Sequence, residues 1–365
     1  MKIYKNSKVV FYIFLLSLFF IFPLNTYSDF SIRVSPFRIE ETVEPGDVVV
    51  KSVNVTNVSD GHQTFYVFLK DFTAKGEGGE PLLFEAGSRE GPFLTSWIEV
   101  PSEGYQFEPN EQKRISIQFN VPENVGPGGY YGAIVFGPKP PETVDGEGTV
   151  ISLAHQVGTL ALFRVAGEAD VRARIREFAT DKSIYDNPFQ VTFLTRIENL
   201  GNVHIKPVGS IKVENMRGRS VATLQINETG ANVLPESIRR FQNTWEEDIG
   251  FGKYTAYLVL NYEGIAADGS EAIQTIFAEK SFWIVPWSIV LPVVVGVVFL
   301  FLIIYYLFKR SKEKALKQVM QAAGLEHKKI SKENKEESFY SMMIVLISVA
   351  LVLLLGGIIF FLFFA

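Results

Sequence analysis

His62, His155, His204 and His327 are the only imidazoles in 365 residues, and they are too scattered to suggest a metal-ligand spacing. The chain has no cysteine, so thiolate nucleophiles and the usual zinc clusters are excluded. Ser88 lies in Gly87-Ser88-Arg89-Glu90-Gly91, which lacks the glycine placement of a nucleophile elbow. The glycines between Gly126 and Gly132 precede a strand-like run, whereas a phosphate-cradling loop leaves a strand and opens a helix. Backbone geometry at a strand entry is the better reading of them. No acid/base constellation rises above the scatter of carboxylates, and the chain is expected to be no enzyme, with no cofactor and no metal.

Binding chemistry remains. Trp97 reads either as a core anchor on an edge strand or as a platform on which a sugar ring could stack, shared with Tyr105 or Tyr131. Tyr130 and Tyr131 alternate onto opposite faces of their strand, so one of them is expected to face outward. Arg172, Arg174 and Arg176 share one face of a strand, about 7 Å apart, where they could track an anionic polymer. The plainer reading is a solvated face balanced by Glu168 and Glu177.

The elements that must position these side chains are strands. From Ser31 to about residue 285 the pattern is short alternating runs separated by turn residues, with no sustained helical period. Arg114 to Val121 is the clearest run: Ile115, Ile117, Phe119 and Val121 alternate with polar neighbours. Further strands are expected at 48–56, 64–72, 130–136 and 149–165. A second set falls at about 171–178, 189–198, 203–214, 219–226, 238–245, 253–262 and 272–284, and seven strands in about 115 residues read as an immunoglobulin-like sandwich. Gly76, Gly78 and Gly79 mark a hairpin or loop, and Pro138 to Gly148 an exposed connection.

Three apolar blocks give the chain an address. Lys2, Lys5 and Lys8, the run Val9 to Pro23 and Thr26-Tyr27-Ser28 make a signal peptide over residues 1–28. Residues 288–308 carry no charge and are long enough to span a bilayer, with Trp283 and Trp287 at the level of an aromatic belt. Residues 341–365 form a second expected span. Between them the segment 309–340 holds nine Lys/Arg and five Glu, a bias that keeps a short loop cytoplasmic. Its stretch Lys312 to Ala323 has the composition of a short surface helix. The exported part, residues 29–285, keeps 23 basic against 35 acidic residues, a poor balance for nucleic-acid binding. Sequons at Asn54, Asn57 and Asn227 matter only in a eukaryotic secretory pathway, and the missing cysteines point toward a bacterial source.

Several segments together carry a resemblance. Val34 with Pro36, the Pro45-Gly46 turn leading to Val53-Asn54-Val55-Thr56-Asn57, Trp97-Ile98 with Val100-Pro101, and Pro122 followed by Pro127-Gly128-Gly129-Tyr130-Tyr131-Gly132-Ala133-Ile134-Val135 are similar to the first domain of WxL-interacting cell-surface proteins of Gram-positive bacteria. The resemblance covers about residues 31–310. It implies a peptidoglycan-binding first domain, a partner-binding second domain and an adhesion or scaffold role. The second span departs from the family's pattern.

The expected architecture is therefore all-β: two tandem immunoglobulin-like β-sandwiches, at 29–169 and 170–285, followed by two transmembrane α-helices. With so short a linker the second sandwich should sit on the bilayer. The expected function is a membrane-anchored surface adhesin or scaffold that binds cell-wall polymer or surface proteins. The alternative is a chaperone-like assembly module that binds exported subunits by β-strand addition.

Overall fold

The computed structural model describes residues 31–101, 103–139, 156–265 and 271–323, with isolated positions 346, 349, 353, 356 and 357. The expected signal peptide, most of the Pro138 to Gly148 connection and most of the second expected span lie outside the described residues.

Alternation of apolar and polar side chains becomes strands wherever one face can be buried. In the first unit these are β1 (Ile32–Ser35), β2 (Arg38–Val43), β3 (Val48–Asn57), β4 (Gln63–Lys75), β5 (Glu80–Glu85), β6 (Tyr105–Phe107), β7 (Gln112–Asn120), β8 (Gly128–Gly137) and β9 (Val157–Val165). One sheet has the order β1-β3-β7 and the other β2-β9-β8-β4-β5, with β6 also on β4. Between them lies a core that includes Phe65, Phe107, Ile117, Phe119 and Phe163. The chain crosses from one sheet to the other between β1 and β2, and β2 then runs parallel to β9, Arg38 opposite Leu160 and Val43 opposite Val165.

The second unit repeats this plan. Its strands are β10 (Ala173–Thr180), β11 (Ile184–Tyr185), β12 (Phe189–Asn199), β13 (Val208–Asn215), β14 (Ser220–Ile226), β15 (Ile238–Glu247), β16 (Gly252–Ile265) and β17 (Glu271–Ile284). The sheets are β10-β12-β15 and β11-β17-β16-β13-β14, and the core includes Phe193, Ile211, Trp245, Tyr254 and Phe282. Again the strand after the crossover, β11, lies parallel to the last strand, but over only two residues: Ile184 opposite Trp283 and Tyr185 opposite Ile284. The tip of the β4–β5 hairpin, Ala74–Pro81, groups with this unit, where Glu77 accepts the backbone N–H of Arg240.

Each unit cages one buried asparagine at the end of its central strand. Asn57 donates through Nδ2 to the carbonyls of Gly61 (2.7 Å) and Glu108 (3.0 Å) and accepts from Ser59 N (3.1 Å). Asn199 donates to Val203 (2.7 Å) and Val233 (2.9 Å) and accepts from Gly201 N (2.9 Å). Both side chains are fully buried, so the sequon at Asn57 is not open to a glycan. The second cage explains a shift from expectation. The strand expected from 203 begins only at Val208, because the preceding residues form the loop around Asn199.

After Ile284 the chain enters a single helix, α1 (Trp287–Ala323, 37 residues), about 55 Å long. Residues 287–308 carry no charge, and Leu291, Phe299, Leu302 and Tyr306 are exposed along it. Among the described residues this is the one helix long and apolar enough to cross a membrane. The segment from Lys309 was expected to be a loop holding a short separate helix. Instead it continues α1 without a break, because no glycine or proline intervenes before Gly324 and extending a formed helix costs little.

Candidate partner-binding surface

The residues singled out in the sequence do not converge. Trp97 is 4% exposed and lies in a single 3₁₀ turn, Thr95–Trp97, rather than on an edge strand. Its ring packs 4.8 Å from Tyr130 and 6.4 Å from Phe163, so it anchors the core and presents no stacking face. Tyr105 is half-buried against the same core. Neither tyrosine of the pair faces freely outward: Tyr131 is buried edge-on against Phe72 at 6.0 Å, and Tyr130 is partly buried with its hydroxyl donating to the Gly126 carbonyl at 3.1 Å. Burial raises the Tyr130 phenol above its ordinary range, and the bond to Gly126 only partly offsets this. The expectation of an outward tyrosine fails because the segment before Trp97 folds against β8, with Tyr131 N bonded to Pro92 O and Leu94 N to Tyr131 O.

Arg172, Arg174 and Arg176 are exposed as expected, but each is already paired. Arg172 makes a two-pronged contact with Asp170 at 2.7 and 2.6 Å. Arg174 and Arg176 share Glu198, at 2.6 and 3.2 Å. The balancing acids are thus Asp170 and Glu198, while Glu177 instead pairs with Arg196 at 3.0 Å. Hydrogen bonding from Arg172 holds the Asp170 carboxyl below its ordinary range, and Arg174 does the same for Glu198. An anionic polymer would have to displace these carboxylates.

A different surface stands out, on β17. Trp283 N donates to Ser183 O and Val285 N to Tyr185 O, so the odd-numbered residues of β17 turn their backbone groups away from β16. With β16 in unbroken register along the whole strand, the same side carries the N–H and C=O of Ile273, Thr275, Phe277, Glu279 and Ser281. Among the described residues no strand pairs with that side above Trp283. Strand β10 of the facing sheet packs nearby but shares no ladder with it.

The same odd residues point their side chains to the outer face. Phe277 is 81% and Ile273 75% exposed, with Val259 opposite Phe277 and Tyr257 opposite Glu279 on β16. The stretch Ile273–Ala278 has no charge and no proline. Other edges carry protection of the kind that deters stray pairing. β2 holds Arg38, Glu40 and Glu41, β15 holds Arg239, Arg240, Glu246 and Glu247, and β7 holds Lys113 and Arg114. On β14 the Gln225 carbonyl already accepts Asn243 Nδ2 at 2.7 Å. Sequence reading placed β17 correctly but missed its outer face. The signal was present in the apolar residues at 273 and 277, which fall on the opposite face from inward Ala272, Ile276 and Ala278.

No family model and no curated protein matches this chain. Among solved structures it is similar to the class 5 fimbriae chaperone CfaA, with 16% identity and a TM-score of 0.34 over 67% of this chain and 98% of that one. It is similar also to the SafB chaperone solved with the SafA pilin of Salmonella enterica, with 13% identity and a TM-score of 0.32 over 68% and 96%. A third is the CupB2 chaperone of Pseudomonas aeruginosa, with 12% identity and a TM-score of 0.30 over 67% and 98%. Scores this low do not decide a fold, and the sandwich assignment rests on the strand pairing described above.

Proposed function

We propose that this chain is a membrane-held, non-enzymatic binding protein that takes an extended segment of an exported protein as an added strand on the open edge of β17. The observation that carries the reading is an unpaired edge, uncharged over Ile273–Ala278, beside an exposed Phe277–Val259–Ile273 face. An added strand would supply the missing backbone partners of residues 273 to 281, and its alternate side chains would cover that face. Burying Phe277 alone is worth about 2–3 kcal/mol. The resemblance to WxL-interacting proteins implies a partner-binding second domain, which agrees with this placement. Stacking of a wall sugar on Trp97 is disfavoured by the burial of that ring.

A photo-crosslinking residue at 277 in the full chain, expressed in its own membrane, tests the reading. It should trap an exported polypeptide that the same residue at Val221 does not. Thr275→Pro, which removes an outward N–H that serves no ladder, should abolish the adduct while leaving thermal stability within about 1 kcal/mol. Equal labelling at 277 and 221 would refute strand addition here. Pelleting with purified peptidoglycan that survives Phe277→Arg would return the wall-polymer reading.

A further inference from the structure

The end of the second sandwich from which α1 emerges carries a cluster of exposed apolar side chains drawn from three separate segments. Ile184 of β11 and Trp283 of β17 are direct cross-strand neighbours, and both are half-exposed. Ile249, at the tip of the β15–β16 loop, is 83% exposed. The loop is fixed beside the root of the helix. Gly250 exchanges two hydrogen bonds with the Asn187 side chain, at 3.0 and 3.1 Å, and a Cβ on Gly250 would lie 3.0 Å from Ile284 Cδ1. Trp287, half-exposed, opens the helix itself.

The joint between sandwich and helix is stiff. Val285 N donates to Tyr185 O at 2.8 Å, and Trp287 N donates to Asp186 Oδ1 at 2.9 Å. The linking residues Val285 and Pro286 include no glycine. A sandwich tied this closely cannot swing away from whatever surface the helix enters.

From this geometry we infer that Ile184, Ile249, Trp283 and Trp287 form an interfacial seat, which rests in the boundary between headgroups and acyl chains of the leaflet that α1 enters. Chain continuity names the occupant: the cluster surrounds the start of an uncharged stretch of helix that needs hydrocarbon around it. The residue types also fit, since tryptophans favour that boundary and aliphatic tips embed roughly 5–10 Å into it. Charged groups of both signs lie at this end, among them Lys182, Arg217 and Lys253 beside Asp186, Glu247 and Asp248, a mixed set that suits a zwitterionic surface. The inference rests on the reading of α1 as a span. It adds that the sandwich itself inserts side chains into the leaflet.

The absence of native cysteine allows single spin labels at Ile249→Cys, Ile184→Cys, Ile273→Cys and Leu300→Cys in the full chain, reconstituted in phosphatidylcholine vesicles. The measurement is accessibility to lipid-soluble oxygen relative to a water-soluble nickel chelate. Labels at 249 and 184 should give a ratio several-fold above that at 273 and approach that at 300. A lipid-like ratio at 300 with water-like ratios at 249 and 184 would overturn the seat while leaving the span intact. Water-like ratios at all four positions would overturn both.

Discussion

Asp181 shows how one side chain ties a loop to a sheet. Burial would raise its pKa, but the Tyr185 hydroxyl at 2.6 Å and the Thr192 N–H at 2.8 Å outweigh that and leave the carboxyl below its ordinary range. A depressed carboxyl adds stability that is fully present above the unfolded value of about 4 and lost as pH falls through the folded value. Asp181→Asn should cost of order 1 kcal/mol at neutral pH, because the site is partly solvated and screened. It should also flatten the acid limb of a stability-versus-pH curve followed by tryptophan fluorescence. An unchanged acid limb would show that the bonds to Tyr185 and Thr192 contribute nothing net.

At the scale of elements, the two caged asparagines, Asn57 and Asn199, make the sharper prediction. Asn199→Ala leaves the carbonyl of Val203 and the N–H of Gly201 without partners and takes one of two donors from the Val233 carbonyl, which keeps Ile205 N, a loss of about 2–4 kcal/mol readable by denaturant titration. Asn57→Ser should be milder than Asn57→Ala, since a hydroxyl keeps part of the cage. These cages were not legible in the sequence, where Asn57 read only as a sequon at the end of the Val53–Asn57 segment. The alternation of Ile115, Ile117 and Phe119 was legible, because each strand of a sandwich has one wet face and one dry face. Strand β11 was not, since two residues carry no period. Trp97 was misplaced because a 3₁₀ turn packed into a core has the same composition as an edge strand. The outward face of β17 was hidden for a related reason: apolar residues on both faces blur the period, and only pairing reveals which face lacks a cover. The two units differ at this point. In the first, β2 covers the last strand over six residues, whereas in the second, β11 covers two.

At the scale of the whole chain, two separate cores make two folding units. Thermal unfolding should therefore depart from a single two-state transition. Asn57→Ala should lower one transition and Asn199→Ala the other, as read by calorimetry; a common shift in both variants would show that the units unfold as one. The run of β17 straight into α1 has a mechanical consequence. A partner strand added along β17 and pulled away from the membrane would be loaded parallel to the strand axis. Its ladder bonds lie perpendicular to that axis, so all of them would resist together in shear, where a load across the sheet would open them one at a time. Such a joint suits a tether that must hold under tension and still release when its strand is peeled from one end.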